Sequence, residues 1–393
     1  MLNSLYIAWK YISYNRIKTA TLVGCITLLV FLPLSLELLL DESEQQLMSR
    51  ASTTPLVVGA KGSALDLMMN TLYFGDEVPE LITMEASEQV TDTDLAYSIP
   101  LYVRFKARGF PVIGTTLDYF EFRGMEVGKG DTLAMLGECV IGSNVAGQLG
   151  LKPGDSLVSS PENLFDIAGI YPLKMKIAGV LNKSHTSDDL GVFVDLKTAW
   201  IIHGLMHGHQ DVTKTRDQTV ILKKNGSNVT ANAKLFQYTE ITEDNMDSFH
   251  FHGDNSKYPI TAVIAVPHDK KSGTILRGRY LSGETDHQIV IPEDVIDGLL
   301  QNIFRIKNVL DSVISVVALA TLLAVILIFA LSLRLREREI KTIFKLGCRR
   351  MTIARLLGAE IFIIGLASGV VSIALLSVIN VYVNDLVRMF VIR

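Results

Sequence analysis

Cysteine is scarce in this sequence, which has three, Cys25, Cys139 and Cys348, among 393 residues. Each occupies a different environment in the hydropathy pattern: Cys25 an apolar run, Cys139 a long polar region and Cys348 a short basic segment. A disulfide needs two thiols in one oxidising compartment. We therefore predict no disulfide within the chain, which excludes a small disulfide-stabilised secreted protein.

A nucleotide-binding motif is also missing. The Walker A loop requires four residues between its first glycine and the Gly-Lys-Ser/Thr triplet. Residues 59–63, Gly-Ala-Lys-Gly-Ser, contain the right residue types, but Lys61 precedes the second glycine. We interpret this segment as a turn from a strand to a helix. Since no other segment fits a Walker motif, we predict that the chain does not hydrolyse ATP itself and is not an enzyme.

Histidine provides the nearest approach to a catalytic or metal site. His203, His207 and His209 form the pattern H-x-x-x-H-x-H, and on a helix the first two would share a face that suits a divalent metal ion. Glycines within the pattern disfavour that helix, and no glutamate follows the first histidine as in zinc hydrolases. The segment 249–252, Phe-His-Phe-His, alternates like an exposed strand. We predict no catalytic residue and no bound metal, and we keep His203, His207 and His209 as candidates for a transient metal contact.

No apolar run of membrane-spanning length occurs between Asp41 and Ser312. This region contains 36 Asp and Glu against 24 Lys and Arg, a net charge of about -12, whereas the whole chain carries -4. An acidic surface of this kind excludes nucleic acid as a partner. Its short alternating strands and helices indicate one large α+β region.

Three apolar runs, 19–40, 313–333 and 361–383, are long enough to cross a membrane. The second has 21 residues without an ionisable side chain. At a rise of 1.5 Å per residue, such a helix is about 30 Å long, the thickness of the hydrocarbon core of a bilayer. We therefore predict an α-helical membrane protein with three transmembrane helices.

The charges beside these runs predict their orientation. The bridge 334–355 carries eight Lys and Arg against two Glu, and short loops with such an excess stay in the cytoplasm. Basic residues precede the first run and acidic residues follow it, so the N-terminus is also expected inside. The large region between the first two runs is then extracytoplasmic. The ten residues after the third run are too few to cross again, so we expect Arg393 to lie outside.

The third run has a spacing of small residues that is typical of packed helices. Gly365 and Gly369 follow the small-xxx-small pattern that lets two helix backbones approach closely, and Ser368 and Ser372 lie nearby. We predict that these glycines pack against another helix. A span that merely tolerates glycine is the alternative.

Several segments together resemble one family. Residues 338–353 are similar to the element R-E-I-x-x-L-x-x-L-G-A-x-x-x-x-I, and Glu360 lies where that family often has a glutamate. Residues 140–155 and 177–181 are similar to G-x-x-x-A-x-x-L-G-L-x-x-G-D and V-x-G-I-L, and 114–120 to G-V-x-x-x-Y-F. The chain thus resembles the MacB/FtsX-like, or type VII, permeases of ABC transporters. That family usually has four spans, whereas we predict three from this sequence.

The resemblance implies a domain plan, which has a porter-like module interrupted by an inserted Sabre-like module. The boundaries are 1–18 for a cytoplasmic amphipathic helix, 19–40 for the first span, 41–53 for a stalk, 54–130 with 218–291 for the porter-like module, 131–217 for the Sabre-like module, 292–312 for a stalk helix, 313–333 for the second span, 334–360 for a cytoplasmic coupling element, 361–383 for the third span and 384–393 for an extracytoplasmic tail.

The resemblance also implies a coupling helix that docks on a separate ABC ATPase, which would bind the ATP and Mg²⁺. Its residues are Glu339, Ile340, Ile343, Phe344, Leu346 and Gly347. The apolar members of this set lie on or beside one helical face, as expected of a helix that is neither spanning nor fully solvated. Arg349 and Arg350 would meet lipid headgroups. The alternative is an interfacial helix that rests on lipid.

The implied function is that of a permease subunit in the bacterial inner membrane, with its large domain in the periplasm. Such a subunit pairs with a second copy or paralogue and, in some systems, with a periplasmic adaptor or lipoprotein. It would export or extract a lipoprotein, lipid, peptide or drug. The alternative is an FtsX-like regulator that moves an extracytoplasmic partner, such as a cell-wall hydrolase, and transports nothing. A transmembrane receptor would need a cytoplasmic output domain, for which the bridge is too short.

Overall fold

A computed structural model describes most of the chain. The described residues are 2–160, 172–208, 221–225, 228–231, 239–242, 245–246, 249–251, 254–281, 286–335, 337, 341–342, 345 and 350–390. By its contacts the chain divides into two compact units. One, the helical unit, is built from residues up to Gln46 and from Gly298 onward, and the other, the α/β unit, spans Leu47–Asp297.

The helices range from seven to 44 residues. In chain order they are α1 (Leu2–Tyr14), α2 (Arg16–Ser52), α3 (Ala64–Tyr73), α4 (Glu85–Asp92), α5 (Leu117–Arg123), α6 (Ser143–Leu149), α7 (Leu196–Ile202), α8 (Lys270–Leu281), α9 (Pro292–Leu335) and α10 (Arg350–Phe390).

The strands all lie within the α/β unit. They are β1 (Leu56–Ala60), β2 (Ile82–Thr83), β3 (Ala96–Ala107), β4 (Phe110–Thr115), β5 (Val127–Gly130), β6 (Glu138–Ile141), β7 (Ser156–Val158), β8 (Leu173–Leu181), β9 (Val192–Asp195), β10 (Met206–Gly208), β11 (Ile221–Asn225), β12 (Asn228–Ala231), β13 (Thr239–Glu240), β14 (Phe249–Phe251), β15 (Pro259–Ile260), β16 (Ala262–Pro267) and β17 (His287–Val290).

Eleven of these strands form one mixed sheet in the order β13-β8-β6-β9-β4-β3-β16-β1-β17, with β5 and β7 also paired to β8. The half from β4 to β17 is antiparallel, whereas β4 pairs with β9, and β6 and β13 pair with β8, in parallel. The predicted large domain of helices and strands is confirmed. Its helices alternate with strands along the chain, and its main sheet is mixed. The predicted module boundaries stay predictions, and β4 and β9, from opposite sides of one boundary, are neighbours in the sheet.

The longest strand, β3, forms the centre of the core. Its middle residues are buried on both faces, because α4 packs on the sheet beside it and α7 contacts both β3 and β4. Arg108 and Gly109 join β3 to β4 with φ of 49° and 89°. Positive φ at both central residues matches the twist of an antiparallel hairpin.

The helical unit holds the apolar runs. Within the described residues, α2, α9 and α10 each contain a stretch long and apolar enough to cross a membrane, as the sequence predicts. Helix α2 covers the predicted first span and stalk without a break, and α9 likewise covers the second stalk and span. Large apolar side chains along these helices are exposed, as for a surface that faces lipid.

One face of α10 packs against α2. Four of its buried positions, Glu360, Ile364, Ser368 and Ser372, are spaced four residues apart. The Ser368 hydroxyl donates to the backbone oxygens of Ile364 and, at 3.4 Å, of Val23 in α2. Small residues therefore bring the two helices together, as expected for membrane helices.

Gly365 and Gly369 lie beside this buried face of α10. Gly365 is exposed, and a Cβ at either glycine would meet no described atom within 4 Å. The helix that they were predicted to contact is therefore not one of those described here. Their packing role stays a prediction.

An ion pair joins the start of α2 to α10. Lys18 Nζ lies 3.4 Å from Glu360 Oε1, and 4% of the Glu360 side chain is exposed. Lys18 also lies 5.3 Å from the centre of the Tyr11 ring. A buried carboxylate needs such a partner because desolvation is costly.

Close backbone contact at Gly142 generates a prediction for the α/β unit. A Cβ on Gly142 would lie 2.3 Å from the Asp189 carbonyl oxygen and 2.4 Å from that of Asp188. Gly142→Ala should therefore lower the free energy of unfolding by about 1–3 kcal/mol, the usual cost of overpacking. The midpoint of thermal unfolding of the full chain in detergent measures this loss.

The matched control is Gly147→Ala in α6, where an added methyl group meets no described atom within 4 Å. Because alanine favours a helix over glycine, this variant should be more stable by about 0.5–1 kcal/mol. Equal stability of the two variants would contradict the close-contact argument.

Candidate functional site

The predicted coupling residues lie mostly outside the described part of the chain. Those outside are Glu339, Ile340, Ile343, Phe344, Leu346, Gly347 and Arg349. Arg350 is described only as the first residue of α10. Their roles stay predictions.

The last turns of α2 are part of the α/β unit. Leu47 and Ala51 are fully buried, and Arg50 is 6% exposed. These three positions, spaced by three and four residues, form one helical face. The phenol of Tyr73 in α3 donates a short hydrogen bond to the Leu47 carbonyl oxygen. The end of α2 is thus embedded in the protein.

Arg50 makes a two-pronged ion pair with Asp188. Its Nη1 lies 2.7 Å from Asp188 Oδ2 and its Nη2 lies 2.8 Å from Oδ1. Nη2 also donates to the Tyr119 hydroxyl at 2.7 Å, and that hydroxyl donates in turn to Asp188 Oδ1 at 3.2 Å. Parallel bonds of this kind fix both distance and orientation. We call Arg50, Tyr119 and Asp188 the buried joint.

Neighbouring side chains close the joint. The Arg50 guanidinium lies 5.4 Å from the centre of the Phe74 ring, and that of Arg123 lies 5.7 Å from the centre of the Tyr119 ring. Arg123 Nη2 donates to Thr54 Oγ1 at 2.9 Å, just beyond the end of α2. Cation–π contacts and the hydrogen bond leave little room for α2 to rotate.

Burial and neighbouring charges shift the pKa values of the side chains in and beside the joint. Burial alone would raise the pKa of Asp188, but the Arg50 guanidinium outweighs it, and the pKa lies below its ordinary value. Burial raises the pKa of the Tyr119 phenol, so this group stays protonated and can donate. Burial, followed by repulsion from Arg50, lowers the pKa of Arg123. Asp188 is therefore a carboxylate at neutral pH.

The turn that carries Asp188 is held by its own hydrogen bonds. Asp188 and Asp189 lie in a 3₁₀ turn, Ser187–Leu190, which Thr186 caps. Asp189 accepts from the backbone N–H groups of Ser184 at 2.8 Å and His185 at 2.9 Å. The turn thus presents Asp188 in a fixed position.

The joint can hold a helix but has no means of catalysis. Its carboxylate is neutralised by a guanidinium, and the groups that surround it are buried, so no substrate reaches it. Sequence reasoning did not identify Arg50 or Asp188. The signal that could have identified Arg50 is that it is a basic residue, flanked by apolar residues at helical spacing, in an otherwise acidic stalk.

The structure describes only part of the histidine group that was a candidate for a metal contact. Helix α7 ends at Ile202, so His203 and His207 do not share a helical face. The hydroxyl of Tyr102 lies 2.8 Å from His203 Nδ1, which explains His203 as a structural residue. His207 lies in β10, and His209 lies outside the described residues.

An open groove of about 410 Å³ lies on the α/β unit. Its lining is largely apolar, and its charged members are Asp195 and Lys197. Asp195 is the N-cap of α7 and accepts from the Lys197 backbone N–H at 2.9 Å. A capping carboxylate is already occupied, so the groove does not supply an acid–base pair.

The buried joint predicts a large effect of Arg50→Met. Removing one partner leaves the Asp188 charge buried and unpaired, which should cost about 3–5 kcal/mol of stability. The matched control is Lys106→Met, which breaks an ion pair to Asp76 whose side chains are 43% and 69% exposed. Exposed pairs contribute at most about 1 kcal/mol. Thermal unfolding of the full chain in detergent compares the two.

A double variant separates charge from packing. Arg50→Met with Asp188→Leu removes both charges, so it should be more stable than Arg50→Met alone. A double variant that is less stable than the single one would show that the ion pair is not what the structure requires at this point.

The pKa of Asp188 predicts how stability depends on acid. Because the folded pKa lies below the unfolded value of about 3.9, the ion pair stabilises the fold above that pH and stops doing so as the pH falls through the folded pKa. Asp188→Asn should be less stable than the wild type at pH 7, and the difference should shrink below about pH 4. Unfolding midpoints measured across this range test it, and a constant difference would contradict it.

A family model described as the MacB-like periplasmic core domain matches residues 39–237, just over half of the chain. All three residues of the buried joint lie inside the matched range. No curated protein matches the chain.

Twenty-six chains of solved structures match. One is the periplasmic region of MacB from Actinobacillus actinomycetemcomitans, at 11% identity, covering 66% of this chain and 99% of that one, with a TM-score of 0.37. Another is the extracellular domain of the noncanonic ABC-type transporter YknZ from Gram-positive bacteria, at 12% identity, covering 60% and 98%, with a TM-score of 0.33. With TM-scores this low, the assignment rests on the family model alone. The chain belongs to the MacB/FtsX-like family, whose members carry the MacB-like periplasmic core domain.

Proposed function

We propose that the chain is the permease subunit of an ABC transporter, and that it couples ATP hydrolysis by a separate ATPase to movement of its α/β unit. The observation that carries this proposal is the position of the family's core domain between α2 and α9, two helices that are apolar and long enough to cross a membrane. The basic bridge 334–355 supports a cytoplasmic location for that segment and a periplasmic location for the α/β unit.

Helix continuity supports transmission from the membrane to the α/β unit. Helix α2 has 37 residues without a break, and Arg50, near its end, is a member of the buried joint. A helix held at its end by a buried bidentate pair moves together with the domain to which that pair belongs. We propose that the buried joint is where force from the membrane enters the α/β unit.

The Lys18–Glu360 pair supports the first step of the same path. Glu360 lies ten residues after the start of α10 and is the last residue of the predicted coupling element 334–360. Its partner Lys18 lies in the first turn of α2. Movement of the coupling element would therefore reach α2 through this contact and through the packed face of α10.

The coupling helix is proposed to dock on the ATPase through Glu339, Ile340, Ile343, Phe344, Leu346 and Gly347, with the ATPase binding ATP and Mg²⁺. Arg349 and Arg350 would contact lipid headgroups, and Gly365 and Gly369 would pack against a second copy or paralogue. The cargo would be a lipoprotein, lipid, peptide or drug, exported or extracted in the inner membrane. The alternative is that the same movement activates an extracytoplasmic partner.

Phe344→Ala tests the docking helix. If Phe344 is a buried aromatic anchor, its removal should cost about 2 kcal/mol or more, which is a loss of roughly 30-fold in association with the ATPase. The tagged chain is purified from native membranes, and quantitative mass spectrometry measures the ATPase that co-purifies with it. Little ATPase should co-purify with the Phe344→Ala variant. Phe344→Asp should abolish recovery.

The matched control is Phe362→Ala, which removes an aromatic ring of the same size from α10, where the side chain is exposed. This variant should recover the ATPase as the wild type does. Undiminished recovery with both Phe344 variants would overturn the docking role of this helix.

A further inference from the structure

Helix α1 is held against the helices that carry the apolar runs. Ile12 of α1 is buried in one cluster with Leu22 of α2 and Ile364 of α10. The Thr19 hydroxyl donates to the Ile12 carbonyl oxygen at 3.2 Å, which fixes the bend between α1 and α2. Leu22 and Ile364 lie near the beginnings of the first and third apolar runs. Helix α1 therefore lies at the end of these runs, where a spanning helix would meet the headgroups of a bilayer.

The rest of α1 exposes aromatic and aliphatic side chains. Ala8 and Ile12 are buried, whereas large apolar side chains around them are exposed, namely Leu5, Tyr6, Ile7, Trp9 and Tyr14. A helix that faces water carries polar side chains on such a surface. Tryptophan and tyrosine are enriched where a protein meets the interface of a bilayer, because their rings are apolar and their N–H and O–H groups are polar. The exposed surface of α1 thus fits the headgroup region of a membrane.

The charges of this part of the chain are all positive. Residues 1–36 contain Lys10, Arg16 and Lys18 and no Asp or Glu. The charge of Lys18 is matched by the carboxylate of Glu360, its partner in α10. Lys10 and Arg16 are the two cations that remain, and both are exposed.

The described contacts of these two cations leave their charges uncompensated. Lys10 Nζ lies 5.8 Å from the centre of the Tyr6 ring. Arg16 Nε donates to the Ser13 carbonyl oxygen at 3.3 Å. Neither an aromatic ring nor a backbone oxygen neutralises a full charge. The exposed surface of α1 is therefore both apolar and cationic.

We propose that α1 binds anionic phospholipids, with Lys10 and Arg16 contacting their phosphate groups and Trp9 lying among the headgroups. A zwitterionic headgroup carries its own cation, whereas an anionic one leaves its negative charge to the protein. Each Lys or Arg near an anionic surface favours binding about five-fold, so two should favour an anionic over a zwitterionic lipid about 30-fold. This inference goes beyond the proposed function, because it concerns the lipid around the chain rather than its ATPase or cargo.

Fluorescence quenching by brominated lipid in nanodiscs tests the inference. The sequence has two tryptophans, and only 4% of Trp200 is exposed, so lipid that quenches by contact reaches Trp9. The full chain is reconstituted in phosphatidylcholine with increasing fractions of brominated phosphatidylglycerol or, in parallel, of brominated phosphatidylcholine. Half-maximal quenching should need a mole fraction of the anionic lipid at least about 10-fold lower. Quenching that remains in Trp9→Phe is subtracted.

Lys10→Gln with Arg16→Gln removes both cations and should raise the half-maximal fraction of phosphatidylglycerol to that of phosphatidylcholine. The matched control is Lys270→Gln with Lys271→Gln, which removes two exposed cations of α8 in the α/β unit. This control should leave the fraction unchanged. Unfolding midpoints show whether each variant folds. If the double variant of α1 does not fold, Lys10→Gln alone should raise the fraction about five-fold.

Equal quenching of the wild type by the two lipids would overturn the proposal, and so would an equal shift in the α8 control. Absence of Trp9 quenching by either lipid would also overturn it and would indicate that protein covers α1. Phe344→Ala should be quenched as the wild type is, so failure of the coupling role and failure of this lipid site are distinguishable.

Discussion

The buried ion pair between Arg50 and Asp188 is the constraint on which the α/β unit depends at the point where α2 enters it. A guanidinium taken out of water must be matched in charge and in hydrogen bonds, or the fold loses several kcal/mol. The Asp188 carboxylate neutralises the guanidinium charge. The Tyr119 hydroxyl accepts a hydrogen bond from Arg50 and donates one to Asp188. Because bidentate geometry tolerates little displacement, the helix end, α5 and the 3₁₀ turn are fixed together.

Backbone packing around the joint follows from the same requirement. The turn that carries Asp188 lies so close to Gly142 that a single methyl group has no room there. Asp189, in the same turn, is occupied with backbone donors rather than with Arg50. Asp188 thus holds the end of α2 through Arg50, while Asp189 accepts hydrogen bonds from the backbone of its own turn.

In the helical unit, polar side chains lie among apolar helices and therefore need nearby hydrogen-bond or charge partners. Hydroxyl groups of α10 bond to backbone oxygens, and the Glu360 carboxylate meets Lys18. These contacts tie α10 to α2 along one narrow face, while the other faces remain apolar.

The sequence alone determined the features that depend on residues close together in the chain. Three apolar runs predicted three long helices, because hydropathy and helix length are read along the chain. The turn between β3 and β4 is also local, because its twist depends on positive φ at two adjacent residues, Arg108 and Gly109. The resemblance to the MacB/FtsX-like family rested on contiguous motifs and is confirmed by the family model.

Tertiary structure alone decided the features that join distant residues. Arg50 and Asp188 are 138 positions apart, and nothing near either one indicates the other. The parallel pairings of β4 with β9 and of β6 with β8 depend on which strands the helices between them bring together. His207 was considered with His203 because the two are close in sequence, yet its partner in register is His250. In each case the reason is the same: burial and hydrogen bonding select partners in space, and that choice depends on the whole core rather than on any one segment.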